Sequence, residues 1–297
     1  MKLFGVVFCI ILSASLLATG CGQGSREEQG AGTDENSSVE LGSKAQQEST
    51  YEEETAQLEG PFTAAPEMSG GAGRAADSIQ EVTFDEHEGY ERVVMNFGSA
   101  GTAASLVPTW SLSSPTGEGY VRLTFPSVEA TLVPDGAFGG SIMKNFYVVR
   151  APGEGMFVDV FATGAFQYRV TELSDPGRLV LDYQPASVEL SLPIPAQAQK
   201  TVLLEPRKGE AITSPLRVSG YSRNFEASNT IILRDLGGDV LSEDTAMSND
   251  WAEAWGYFEG WLEFPPFEGQ ATLQIGRESP RDGSFEGVEV PVTYGTG

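Results

Sequence analysis

From residue 79 onward, hydrophobic and polar positions alternate in short runs. In "GYVRLTF", Val121, Leu123 and Phe125 share a face, and Val288, Val290 and Val292 repeat the pattern near the end. Successive side chains of a strand point to opposite sides, so a period of two predicts half-buried strands. "YERVVMNF", "GMFVDVFATG", "FQYRV" and "RLVLDY" extend a first set of strands. "TVLLEP", "LRVSGY", "NTIILRDLGGDVL", "GYFEGWLEF" and "ATLQIG" make a second. The glycines of "LGGD" (236–239) suit a hairpin turn. No segment after residue 20 offers three clean turns of amphipathic helix. Many short strands with Gly and Pro between them predict an all-β fold of two β-sandwich-type domains, residues 79–186 and 201–295. "LSLPIPAQAQK" lies between them with two prolines, and 187–200 reads as a semi-stiff linker.

The first 78 residues follow other rules. Lys2 precedes an apolar run from Leu3 to Leu17, then the small residues Ala18, Thr19 and Gly20. This is the layout of a secretory signal peptide over 1–20, and the run is short for a transmembrane helix. The chain has two cysteines, Cys9 inside the apolar run and Cys21 just after it. Cleavage before Cys21 leaves a single cysteine and no internal disulfide. Residues 22–78 are rich in Gly, Ser, Glu and Gln and show neither period. Such a segment buries too little surface to offset the entropy of ordering, so 21–78 is expected to be a disordered acidic tether. Its root-mean-square reach would be on the order of 40 Å.

Charge narrows the partners. Eighteen basic residues stand against 42 acidic ones, a net charge of −24. A chain of this kind repels nucleic acid, so no nucleic-acid partner is expected. Imidazole-based catalysis has one histidine to draw on, His87 in "DEHEG", where a solvated turn is the simpler reading. One histidine and Cys21 do not make a zinc set. Asp235 with Asp239, or Asp282 with Glu286, lack EF-hand spacing, and turn aspartates commonly bond their own backbone. "GGAGRAA" (70–76) has no strand before it and is no phosphate loop. No metal and no cofactor are expected. Carboxylate pairs for glycoside hydrolysis stay open, because an acidic chain has many and nothing singles one out.

The aromatic residues carry more information. In "GYFEGWLEF", alternation puts Phe258, Leu262 and Phe264 on one face and Tyr257, Glu259, Trp261 and Glu263 on the other. With the first set in the core, Tyr257 and Trp261 form a candidate binding face. The alternative packs these rings under the loop that holds Trp251 and Trp255.

Three resemblances follow from particular residues. Ala18 to Cys21 resembles a bacterial lipobox, with Leu17 one place further back than usual. The resemblance implies that Cys21 carries diacylglycerol and palmitate-type acyl chains and anchors the protein to the membrane. "HEGYERVVMNF" (87–97) and "FQYRVTELSDPGRLVLDY" (166–183) resemble the AMIN-like domain, a relative of a module found beside cell-wall amidases. "PRKGEAITSPLRVSGYSRNFEASNTIILRDLGGDVL" (206–241), "YFEGWLEF" and "SPRDGS" (279–284) resemble the immunoglobulin-like domain of bacterial spore germination. Together they imply a non-catalytic, lipid-anchored envelope protein that binds peptidoglycan, another envelope polymer or an envelope protein, with a tie to sporulation or germination. The competing expectation is an accessory subunit, or a cryptic cell-wall hydrolase using a carboxylate pair.

Overall fold

The computed structural model describes residue 58 and residues 60–114, 118–186 and 193–295. Cys21, the expected leader and the tether up to residue 57 lie outside the described residues, as do 187–192. Apart from one 3-10 turn, Phe225–Ala227, every regular element among the described residues is a strand. The all-β expectation is met.

In the first region, the strands Phe166–Leu173, Arg178–Pro185, Tyr90–Ser99 and Ser78–His87 lie side by side in one sheet. The stretches 87–97 and 166–183 are therefore neighbours. Their inward residues, including Val93, Met95, Phe97, Leu179 and Leu181, meet Val121, Leu123, Phe125, Val158 and Val160 of a second sheet in one core. In the second region, Val218, Phe258 and Leu262 face Ile231, Leu233, Leu273, Ile275, Val288, Val290 and Val292 in another core. Period-two alternation assigned these faces, because burial on one side of a pleated strand leaves every second residue wet.

The second sheet does not stop at the domain boundary. It runs Glu67–Gly70, Trp110–Ser113, Tyr120–Phe125, Met156–Ala162, Met143–Arg150, Trp255–Leu262, Leu216–Ser222, Thr201–Glu205, Ala196–Ala198. The join is a parallel pairing of Trp255 with Val149 and Gly256 with Arg150. The rings of Phe157 and Tyr221 stand three strands apart in this order, yet their centroids are 6.1 Å apart. Three strand spacings in a flat sheet would separate them by about 14 Å. The sheet therefore curls, and its hollow is filled by Val149, Phe157, Phe161, Val202, Tyr221 and Trp255.

This third core explains a strand that does not alternate. Met156–Ala162 is buried at every position, with alternate residues in the first core and in the hollow. Its one charge, Asp159, is fully buried and meets Arg122 in a bidentate pair with both contacts at 2.7 Å. A buried carboxylate needs such a partner to offset its desolvation.

Two boundaries differ from the sequence expectation. The fold begins well before residue 79: Thr63 bridges to Tyr168, Glu67–Gly70 pairs with Trp110–Ser113, and Ala76 is buried. Composition hid this, because a four-residue edge strand needs few apolar side chains when backbone pairing and a neighbouring core hold it. Within the expected linker, Ala196–Ala198 pairs with Thr201–Glu205, and Gln197 accepts a hydrogen bond from Asn145 at 2.7 Å. Residues 79–186 and 201–295 thus share a sheet within one compact unit, each with its own core.

Candidate functional site

Trp261 and Arg217 face each other across the pairing of Trp255–Leu262 with Leu216–Ser222. Phe258 and Leu262 are 1% exposed on the core side, and Trp261 is 55% exposed on the other. The period-two reading of this strand holds for all three residues. Trp261 and Arg217 line a groove of about 760 Å³ whose wall includes Glu205 to Ile212. The wall is a tight loop: Glu210 accepts from the Arg207 amide at 2.8 Å, and Gly209 turns the chain at a φ of +82°. A side chain at that φ would be strained, so the loop depends on glycine.

Arg217 organises the polar part of this face. Its guanidinium donates to Glu205, to Glu259 at 2.7 Å and to the Tyr257 hydroxyl at 3.2 Å. The Arg217 hydrogen bond holds the Glu259 carboxyl below its usual range, with the Tyr257 hydroxyl adding to it. Glu259 in return raises the Arg217 pKa further. The result is a fixed row of charge beside an open indole. Planar donors and acceptors next to an aromatic face suit a ligand with apolar C–H surfaces and hydroxyl or amide edges.

Tyr257 and Trp261 have different surroundings. Tyr257 is half-buried, packs against the hollow of the curled sheet and spends its hydroxyl on Glu259 at 3.1 Å. Trp261 alone of the two presents a free ring. Trp255 is 4% exposed in the junction core, and Tyr257 packs against that core and pairs with Asn249 of the loop before it, whereas Trp261 stays open.

The other candidates are occupied by structure. His87 is exposed and stacks on Tyr90 at 4.7 Å. Asp235 accepts from the Asp239 amide at 2.9 Å, and Asp282 accepts from the Ser284 amide and hydroxyl. Glu286 pairs with Arg277 at 2.9 Å. Among the described residues no three His, Cys, Asp or Glu side chains cluster as a metal would need. Three buried carboxylates escaped the sequence reading. Asp159 has Arg122; Asp182 lies between Arg92 and Arg169; Glu91 accepts from Ser141 Oγ, Ile142 N and Met143 N at 2.6–2.8 Å. The signal for them was present: a charge inside an otherwise apolar strand, as in "FVDVF" or "VLDY".

Residues 201–284 match the family described as the immunoglobulin-like domain of bacterial spore germination. No curated protein matches the chain, and no solved structure does.

Proposed function

We propose that this chain is a non-catalytic binding protein of the bacterial cell envelope. It is anchored through an acylated Cys21, serves spore germination or the envelope of the spore-forming cell, and holds an envelope polysaccharide such as peptidoglycan. The observation that carries the binding reading is Trp261, an open indole on a paired strand lining the Arg217 groove. A ring on a paired strand loses little side-chain entropy on binding and offers flat apolar surface to a sugar. The match over residues 201–284 supports the germination setting. The engagement of Glu91, Asp159 and Asp182 by internal donors supports a binding role over hydrolysis.

Co-sedimentation of the full chain with insoluble peptidoglycan tests this. Trp261→Ala should weaken retention by about tenfold or more, as loss of a central anchor does, with the melting temperature nearly unchanged. Equal retention by the variant, or release of soluble glycan fragments by the intact protein, would overturn the reading.

A further inference from the structure

We propose a second saccharide site in the cleft beside the domain junction, built on Phe225 and Trp251 and selective for a sugar ring that carries a carboxylate. The cleft holds about 540 Å³ and is lined by Asp135 of the first region and by Gln199, Lys200, Arg223, Phe225 and Trp251 of the second. That volume is in the ordinary range for a small-ligand site, roughly 300–1,000 Å³.

Phe225 is 57% exposed and Trp251 38% exposed, and their rings meet edge to face at 5.2 Å. Two large aromatics left open to water at one place would ordinarily be buried, and the surrounding structure keeps them out. Phe225 opens the turn Phe225–Ala227, in which Glu226 and Ala227 both have left-handed backbone, at φ 57° and 60°. Gln199 in the same lining is left-handed as well, at φ 47°. Non-glycine residues rarely adopt this conformation, and it persists only where the surroundings impose it.

A buried polar network imposes it here. Asn224 donates to Thr201 Oγ1 at 3.1 Å and to Asn229 Oδ1 at 2.9 Å. Asn229, fully buried, donates to the carbonyl of Ala227 at 3.2 Å and to Ser248 Oγ at 2.9 Å. The other ring is held as firmly. Asp250 accepts from the amides of Trp251, Ala252 and Glu253, and its second oxygen takes the Arg150 guanidinium at 2.8 Å. The rings are pre-positioned from both sides, and part of the support comes from the first region.

The polar lining names the ligand. Asp135 accepts from the Trp255 indole at 2.8 Å and stands 3.8 Å from Arg223, so it is fixed in place. Asp135, Gln199 and Arg223 offer the planar donors and acceptors that sugar hydroxyls pair with. Lys200 is exposed, and among the described residues no carboxylate lies within salt-bridge reach of it. On a chain of net charge −24, the exposed Lys200 ammonium in this lining, together with Arg223, favours an anionic ligand. A purely apolar side chain of a peptide would leave these polar walls unmet, so a carboxylated saccharide fits better.

This proposal narrows the polysaccharide reading above and shares its premise. The test follows the tryptophan indole N–H resonances of the purified full chain. Three probes are used: a disaccharide containing muramic acid, a uronic-acid oligosaccharide, and chitobiose as the neutral control. One of the two acidic probes, identifying the source, should move the Trp251 resonance. Phe225→Ala should weaken that binding by about tenfold with unchanged melting, read at the same Trp251 resonance. Lys200→Gln should abolish the preference for the acidic probe over chitobiose while the fold and the Trp251 signal persist. No movement of Trp251 by either acidic probe, or an undiminished preference for the acidic probe in Lys200→Gln, overturns the site. If Trp261→Ala loses peptidoglycan while Trp251 stays silent, the junction cleft falls and the Trp261 groove stands.

Discussion

Trp255 donates its indole N–H to Asp135 at 2.8 Å, across the boundary between the two β regions. The same ring touches Tyr147 edge-on at 4.7 Å and Tyr221 at 5.9 Å. One side chain thus closes the hollow of a sheet whose strands come from both regions.

Removing that ring should cost the stability of both halves together. Trp255→Ala leaves a cavity among Tyr147, Tyr221 and Phe157 and is expected to lose about 3–5 kcal/mol. Calorimetry of the intact chain should show one transition, and the variant should either lower it or split it in two. Limited proteolysis should likewise yield a single resistant core that retains Phe62 and Tyr294, rather than two fragments beginning near Ile79 and Thr201.

Asp182 bridges two arginines. Arg92 Nε lies 2.6 Å from it with both side chains 1% exposed, and Arg169 Nε donates at 3.0 Å. Breaking such a pair from one side leaves buried charge without compensation, which costs about 3–5 kcal/mol. Asp182→Asn should lower the denaturation midpoint strongly, while Arg217→Gln, at the exposed Glu205–Glu259 bridge, should cost about 1 kcal/mol or less.

Glu91 gives the fold an acid limit. Burial raises its pKa, but hydrogen bonds from Met143, Ser141 and Ile142 outweigh that and hold it below the ordinary value of 4.5. A carboxyl lowered on folding stabilises the protein at pH values above the ordinary one. That contribution fades as pH falls from about 4.5 through the lower folded value. Glu91→Gln should lower stability at neutral pH by about 1–3 kcal/mol and flatten the loss on acidification. Denaturant melts at stepped pH check this, and an unchanged acid limb would count against it.

Cys21 is expected to decide location. Cys21→Ala should move the protein from the membrane fraction to the medium, read by fractionation and blotting. Retention of the variant in the membrane to the same degree would mean that another feature anchors it.

The sequence by itself determined what is local. Val121, Leu123 and Phe125 had to share a face because the side-chain period of a strand is two, and that rule needs no partner. The same rule put Trp261 opposite Phe258 and Leu262, where the structure has it. The stretch "MFVDVFA", apolar on both faces except at Asp159, also reads locally as a strand. What covered it was not written locally. Strand pairing depends on backbone groups that every residue carries, so nothing in the side chains of Val149 and Trp255 announces that they adjoin. The curl that brings Phe157 to Tyr221, the partners of Asp159 and Asp182, and the meeting of Phe225 with Trp251 all follow from that pairing. They belong to tertiary structure because each joins residues that become neighbours only after the chain has closed on itself.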